Sequence, residues 1–292
     1  MTWLDTWVAA NHFWPSIIYR SAGASVRDRI VAAIDSGRAN VDHALSALAW
    51  IGDGDVVKLF QIWEAEPPSW RSSLFIGPSR YAHLAGWEPS AFGRRNLYFE
   101  QCLAIMPAGS GGESVRSIEV FRRSEERCRW CAGPMAHLID LDIRDSLFGF
   151  FGLRGPRLPV LTCERCTCFG DHHFARFTED GAAHWFEGNA RPNWLPENIS
   201  TWPPGPWTEI PVRLSPRRPM EAADWCMEIP ASQIGGLPCW VQDAAYPQCP
   251  SCKQTMKFIA QLDNAQFPSH EGIYYAFLCE SCRITATAYQ QT

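Results

Sequence analysis

Cysteine is the residue type whose spacing in this chain most clearly indicates chemistry. Eight of the 12 cysteines form four C-x-x-C pairs: Cys128 with Cys131, Cys163 with Cys166, Cys249 with Cys252, and Cys279 with Cys282. A two-residue spacer lets both sulfurs of a tight turn face one ion, and two such turns supply a tetrahedral four-thiolate set, which zinc prefers. The sequence therefore predicts two structural zinc ions per chain, one held by the first two pairs and one by the last two.

Redox-active C-x-x-C motifs and buried cysteines with no ligand role are the two alternatives to zinc at these pairs. The repetition of the pairs favours zinc. The four remaining cysteines are interpreted as small core residues; they are Cys102, Cys168, Cys226 and Cys239. Cys168 follows Cys166 closely enough to compete with it as a ligand.

Catalytic groups are sparse in the sequence. A four-cysteine zinc site has no open coordination position and activates no water. The best acid–base candidates are Asp171, His172 and His173, together with His137, Asp140 and Asp142. Because the histidine pair follows a cysteine pair in a predicted loop, we interpret these groups as surface polar residues. We therefore expect a protein that is not an enzyme.

The composition of the chain disfavours some classes of binding partner. The chain has 292 residues, 46% hydrophobic and 20% charged, which allows a buried core in two domains of ordinary size or in one domain with an appendage. Its formal net charge of −5 argues against a general binder of nucleic acid or anionic membrane. Direct binding of nucleic acid is also disfavoured because glutamate or proline interrupts the arginine clusters near residues 122–129 and 213–218. Residues 1–7 contain neither a basic n-region nor an uninterrupted apolar h-region, and no apolar run reaches the roughly 18 residues of a membrane span. We expect a cytoplasmic protein with reduced cysteines.

The two halves of the cysteine pattern share further residues. Met135, Leu141 and Asp142 follow Cys131 at the distances at which Met256, Leu262 and Asp263 follow Cys252. Apolar runs of strand length follow each first pair and precede each second pair. The spacing predicts two copies of one mainly antiparallel β unit, each holding a four-cysteine zinc site.

The N-terminal region has the pattern of helices rather than of strands. Apolar residues recur at helical spacing in three stretches, the first behind a Ser25 cap, the second over 41–51, and the third from Val56 to Trp63 before Pro67-Pro68. Together they resemble a HEAT-type helical hairpin. Such a hairpin either covers the sheet domain or forms an independent binding surface.

The predicted fold class is therefore α+β, with a helical hairpin followed by two zinc-holding β units. The predicted ranges are 1–85 for the helical region, 86–190 for the first β unit, 191–219 for a linker or surface strap, and 220–292 for the second β unit. Eight prolines interleave with Trp194, Trp202 and Trp207 in the strap.

The second copy contains a motif set that is typical of a known family. The set consists of Gln233-Ile234-Gly235-Gly236-Leu237-Pro238-Cys239-Trp240, Met256-Lys257-Phe258-Ile259-Ala260-Gln261-Leu262-Asp263 and Tyr275-Ala276-Phe277-Leu278-Cys279. This set resembles the YwqG-like bacterial family of unknown function and the related programmed cell death protein 2 family. The match covers about residues 230–285. No counterpart of Gly-Gly-x-Pro precedes Cys128.

The resemblance implies a protein-binding role. YwqG-like domains recur in bacterial toxin and immunity loci, whereas programmed cell death protein 2 relatives are chaperones for a ribosomal protein. We therefore expect an immunity protein that blocks the substrate site of a basic toxin, a nuclease effector of an interbacterial (type VI) secretion system. The alternative is a zinc-dependent chaperone or adaptor for a ribosomal or other basic protein.

Overall fold

The computed structural model describes residues 3–108, 117–203, 207–223, 231–267 and 272–291. The chain divides into two compact units, Met1–Leu97 and Tyr98–Thr292. Helices occur mainly in the first unit and antiparallel sheets mainly in the second, so the fold belongs to the predicted α+β class. Within the described ranges, no helix has the length and apolar character needed to cross a membrane.

The first unit is built from short helices and one hairpin. Their bounds are α1 Trp3–Ala9, α2 Ala24–Asp35, α3 Val41–Ile51, α4 Gly54–Ala65, α5 Pro78–Tyr81, β1 Trp87–Ser90 and β2 Gly93–Asn96. Helices α2, α3 and α4 occupy the three stretches with helical spacing. Each buries its apolar stripe, as an amphipathic helix does when it packs on its neighbours.

Capping residues set the ends of these helices. The Asn40 side chain accepts a hydrogen bond from the backbone of His43 at the start of α3, and Asp53 caps α4 in the same way. The predicted Ser25 cap is wrong. Helix α2 begins at Ala24, so Ser25 lies inside the first turn, and Gly23 occupies the N-cap position without a side-chain bond.

The β1–β2 hairpin belongs to the helical unit. The indole nitrogen of Trp87 donates a hydrogen bond to the carbonyl oxygen of Ala49 at 2.8 Å, and the Trp87 ring stacks on Phe60. Trp87 is fully buried by these contacts. The unit therefore continues to Leu97, beyond residue 85, because one tryptophan anchors the hairpin to α3 and α4.

The second unit contains two antiparallel sheets. Its strands are β3 Phe99–Pro107, β4 Ile118–Arg127, β5 Pro134–Asp142, β6 Arg157–Thr162, β7 His173–Phe177, β8 Ala183–Trp185, β9 Val212–Pro216, β10 Gln233–Gly236, β11 Lys257–Asp263, β12 Ile273–Cys279 and β13 Ile284–Gln290. Strands β4-β5-β6 form a three-stranded sheet, and an eight-stranded sheet has the order β8-β7-β13-β12-β11-β10-β3-β9.

The eight-stranded sheet combines strands from three of the ranges named above. Strands β3, β7 and β8 lie in 86–190, β9 lies in 191–219, and β10 to β13 lie in 220–292. The four strands of the last range are central and the others flank them. These three ranges therefore share one hydrogen-bonded sheet, and strand β9 of the proline-rich segment forms one of its two edges.

The two sheets pack against each other through one apolar core. Leu138 and Ile139 of the small sheet share this core with Ile259 of the large sheet. Phe121 contacts the Trp207 ring at a centroid distance of 4.7 Å, so the proline-rich segment also contributes to the core. Complete burial of one such side chain stabilises the fold by about 1.5–3 kcal/mol.

Candidate metal centres

The first metal centre consists of the cysteines Cys128, Cys131, Cys163 and Cys166. Their four sulfur atoms all lie within 4.8 Å of one another. The Sγ atoms of Cys131 and Cys163 are 3.7 Å apart, and those of Cys128 and Cys166 are 3.8 Å apart. All four side chains are buried.

The second metal centre consists of Cys249, Cys252, Cys279 and Cys282, which also converge within 4.8 Å. The Sγ atoms of Cys252 and Cys279 are 3.6 Å apart. This centre lies nearer the surface, because Cys252 is exposed and Cys282 is half-buried. The eight cysteines thus group as the spacing of the pairs predicts.

The sulfur distances fit a metal ion better than disulfides. A tetrahedral ion with metal–sulfur bonds of about 2.3 Å separates its sulfur ligands by roughly 3.8 Å. A disulfide would bring two sulfur atoms to about 2.05 Å. The measured separations of 3.6–3.8 Å match the tetrahedron, so each cluster can hold a four-coordinate ion with no open position.

The turn at the first C-x-x-C pair has a backbone geometry that suits a metal-binding thiolate. The Ala132 N–H donates to the carbonyl of Cys128 at 2.8 Å, and the Cys128 N–H donates to the carbonyl of Gly133 at 3.0 Å. Ala132 has a φ of 56°, which reverses the chain. The Gly133 N–H then points at the Cys131 sulfur at 3.4 Å, where it stabilises a thiolate.

The turn at Cys249 repeats this geometry atom for atom. The Lys253 N–H donates to Cys249 at 2.9 Å, the Cys249 N–H donates to Gln254 at 2.8 Å, and Lys253 has a φ of 63°. The backbone N–H of Gln254 lowers the pKa of the Cys252 thiol to about 7. Both turns therefore favour a thiolate at the second cysteine of the pair.

Crowding of the sulfur atoms affects the remaining thiols. In the first centre, the neighbouring Cys128 raises the pKa of both Cys163 and Cys166, because one thiolate disfavours a second negative charge close by. A divalent cation bound among them would offset this repulsion. The four sulfur atoms of this cluster therefore favour the binding of a cation.

Each centre clamps a β-hairpin, and the first hairpin contains a bulge. We call the pair β5 and β6 the first metal hairpin, and the pair β11 and β12 the second. In the first, His137 lies opposite Leu161 and Ile139 lies opposite Val160, so Leu138 is the extra residue.

The second metal hairpin has the same register. Phe258 lies opposite Phe277 and Ala260 lies opposite Ala276, so Ile259 is the extra residue. Counted from the preceding cysteine pair, Ile259 is at the same distance as Leu138. A bulge at the same position directs equivalent side chains into the shared core.

A third strand also matches. Val120 of β4 lies opposite Ile139, and Ile234 of β10 lies opposite Ala260. The next residue adopts a left-handed backbone in both strands, with φ of 59° at Phe121 and 65° at Gly235. Phe121 therefore occupies the position of the first glycine of Gly-Gly-x-Pro, and sequence comparison missed it because phenylalanine rarely adopts a positive φ.

The predicted acid–base residues do not form a catalytic set. Asp171 is exposed, whereas His172 is half-buried and donates from Nε2 to the Ala245 carbonyl at 3.3 Å. His173 is fully buried between the Trp130 and Trp185 rings, and burial lowers its pKa to about 4. The surface interpretation is wrong for His173, because it begins strand β7 and its ring faces aromatic side chains.

Asp140 and His137 are also buried rather than superficial. Two guanidinium groups hold the Asp140 carboxylate, that of Arg122 at 2.5 Å and that of Arg157 at 2.8 Å, and Arg157 also pairs with Glu119 at 3.1 Å. Burial lowers the pKa of His137 to about 4. This network joins β4, β5 and β6 and leaves the buried carboxylate fully paired. Asp142, on the same strand, is bound by Arg144 at 2.6 Å.

The four cysteines outside the pairs have different environments. Cys102 is buried, as interpreted, and burial raises the pKa of its thiol to about 12. Cys239 is half-buried. Cys168 is exposed and stands outside both metal groups of the described ranges, so the core interpretation is wrong there. Cys226 lies outside the described residues.

Comparison with known proteins gives one informative match. The chain is 39% identical over 280 residues to an uncharacterized protein, YpfL, of Salmonella typhimurium strain LT2. No protein-family model matches the chain, and no solved structure matches it. The similarity covers 94% of this chain but only 64% of the relative, so the chain spans less than two thirds of the length of the protein it is similar to.

Proposed function

We propose that this chain is a zinc-stabilised immunity protein that binds and neutralises a basic bacterial toxin. The observation that carries the proposal is the closed geometry of the two four-cysteine centres. A metal with four protein ligands has no position for substrate, so its role is structural and the protein surface performs the function. Rigid elements lower the ordering cost of binding another protein.

Zinc is the metal that best fits these centres. Four thiolates at tetrahedral separations suit zinc or an iron–sulfur site, and the sulfur separations of 3.6–3.8 Å fit a single ion. Such an ion supplies on the order of 10–16 kcal/mol of apparent binding free energy, which is comparable to the stability of a whole domain. A reducing compartment keeps unbound cysteines available as metal ligands, which is consistent with a cytoplasmic location.

The two metal hairpins are duplicated copies of one unit. The shared knuckle geometry, the bulges at Leu138 and Ile259, and the left-handed residues Phe121 and Gly235 all support duplication. Polar positions differ between the copies, since His137 corresponds to Phe258. The features shared by the two copies are therefore those of the backbone and the cysteine ligands, whereas the surrounding polar side chains differ.

Charge favours a basic partner. Acidic and basic side chains are equal in number in residues 1–97, so the whole formal charge of −5 belongs to the second unit. A negative surface accelerates encounter with a positively charged protein and disfavours nucleic acid. Exposed aromatic side chains such as Trp194 can then supply the main contacts of the interface.

Co-expression tests this function. The toxin gene next to this one should arrest growth when expressed alone and lose its toxicity when this chain is present, and the two proteins should co-elute on gel filtration. A Cys131→Ser variant should fail to rescue because its first centre is incomplete, whereas Cys168→Ser should rescue normally. Failure of the wild-type chain to rescue, together with no complex, would reject the proposal.

The second candidate is a chaperone or adaptor for a ribosomal or other basic protein. It is favoured by the segment from Gly235 to Trp240, which resembles programmed cell death protein 2. In the structure Trp240 stacks on Tyr275 at a centroid distance of 4.8 Å, so this segment is fixed to the central strands. Affinity purification from the native host separates the candidates, because a chaperone should retain a ribosomal protein and an immunity protein a toxin.

A further inference from the structure

A groove of about 460 Å³ lies in the second unit beside the first metal centre. One wall is the segment 169–174, which precedes and begins β7, and the other is the segment 188–194, which follows β8. The aromatic residues Phe169, Phe174 and Trp194 line it, with Asp171, His172 and Arg191 as its ionisable groups. This volume suits a small ligand or a few side chains of a peptide.

The metal knuckles hold both walls in place. The first wall begins three residues after Cys166, the last ligand of the first centre. The second wall is fixed by Arg191, whose guanidinium donates to the carbonyl of Trp130 at 2.9 Å, inside the first C-x-x-C turn. Asn189 joins the walls, because its side chain accepts from Phe174 N–H at 2.9 Å and donates to Phe174 O at 2.7 Å.

Two groups in the groove are available to a ligand. The Trp194 side chain is 84% exposed, and its ring contacts no other ring of the described residues. Asp171 is exposed, and its carboxylate forms no hydrogen bond or ion pair within the described ranges. By contrast, the Arg191 guanidinium is directed at the carbonyl oxygens of Trp130 and Pro196. Burial lowers the pKa of His172, which favours the neutral form of this ring.

We propose that this groove binds an arginine or lysine side chain of a basic protein segment, with the cation over the Trp194 indole and paired with the Asp171 carboxylate. A cation is attracted to an indole face, and a carboxylate in the same groove adds charge complementarity. An anionic ligand is disfavoured in this groove. The Asp171 carboxylate would repel it, and the Arg191 guanidinium already donates its hydrogen bonds to carbonyl oxygens of the protein. The proposal rests on the proposed function, since it names the part of a basic partner that this surface recognises.

Fluorescence anisotropy with two labelled peptides tests the groove directly. The probes are a fluorescein-labelled peptide of alternating arginine and glycine and a matched peptide of alternating glutamate and glycine, each added to the full, metal-loaded chain. We expect the arginine peptide to bind and the glutamate peptide not to bind. Asp171→Asn and Trp194→Ala should each weaken binding about tenfold, which corresponds to about 1.4 kcal/mol.

Matched controls separate the groove from general charge and folding effects. Glu197→Gln removes an exposed carboxylate near Trp194 but outside the groove, and Trp3→Ala removes an exposed tryptophan of the first unit. Both should bind the arginine peptide as the wild type does. Metal content and circular dichroism of the two groove variants should be unchanged, because both replaced side chains are exposed.

The outcomes distinguish the groove from the proposed function. Equal binding of the two peptides, or wild-type affinity in both groove variants, overturns the groove assignment. If the chain binds and neutralises the toxin and the groove variants do so equally well, the function stands and the groove assignment is rejected. If no toxin is bound but the arginine peptide binds through Asp171 and Trp194, the groove assignment stands without the toxin.

Discussion

Replacing Gly235 with alanine should disrupt the centre of the large sheet. Gly235 has a φ of 65°, and strand β10 lies between β3 and β11. A β-carbon added there would lie 2.0 Å from the carbonyl oxygen of Gln101 on β3. Real β-carbons essentially never come within 3.0 Å of such an atom, so the backbone of one strand would have to move by about 1 Å or more.

The cost of this substitution has two parts. A left-handed backbone costs an alanine roughly 1–2 kcal/mol relative to glycine. Displacing Gln101 weakens the ladder between β3 and β10, and each backbone hydrogen bond lost costs about 0.5–1.5 kcal/mol. We expect Gly235→Ala to lower the free energy of unfolding by about 2–4 kcal/mol, a large fraction of the roughly 5–15 kcal/mol of a typical domain.

Urea unfolding followed by tryptophan fluorescence measures this loss, with Gly149→Ala as the matched control in the same unit. Gly149 has no atom within 4 Å of the position of an added β-carbon, and its φ is negative. Alanine there should leave stability unchanged or raise it by about 0.4–1 kcal/mol. If the two variants unfold at the same urea concentration, the close approach of β10 to β3 described above is wrong.

Three further predictions concern the metal centres and pH. Metal analysis should find close to two zinc ions per chain. A chromophoric chelator should remove the ion of the second centre much faster than that of the first, because Cys252 is exposed and all ligands of the first centre are buried. A single release rate for both ions would contradict this. Cys131→Ser should abolish the cooperative thermal unfolding of the second unit in circular dichroism, since structural zinc supplies on the order of 10–16 kcal/mol, and a wild-type melting curve would count against the first centre. Burial lowers the pKa of His137 to about 4, below its ordinary value of 6.5, so the unfolded chain binds the proton more readily and stability falls as pH decreases from 6.5 towards 4. His137→Phe, which copies Phe258, should therefore lose less stability than the wild type between pH 7 and pH 5 in urea titrations; equal losses would show that His137 does not titrate in this range.

Local patterns in the sequence were sufficient to predict the two groups of four cysteines and helices α2, α3 and α4. A C-x-x-C turn needs only a few neighbouring residues to direct two sulfurs at one point, and the turns at Cys128 and Cys249 show that geometry. Helices α2, α3 and α4 follow apolar stripes that depend on residues three and four positions apart. These features depend on short-range physics, which one sequence contains.

The pairing of distant strands could not be predicted in this way. An apolar run before the last cysteine pair predicts that β12 is a strand, but such a pattern does not say which strand lies beside which. The correspondence between Phe121 and Gly235 depends on a shared left-handed backbone angle rather than on the side chain. Likewise, the burial of His173 follows from Trp130 and Trp185, which approach it from other parts of the chain.

The order of strands in the large sheet has a consequence for synthesis on the ribosome. Strands β3 and β7 emerge early, yet their neighbours β10 and β13 are translated much later. The first metal hairpin can close as soon as Cys166 has left the exit tunnel, whereas the flanking strands must wait with unpaired edges for their central partners. Zinc bound early at the first centre would keep this half of the chain compact during the wait, when open strand edges are most prone to aggregation.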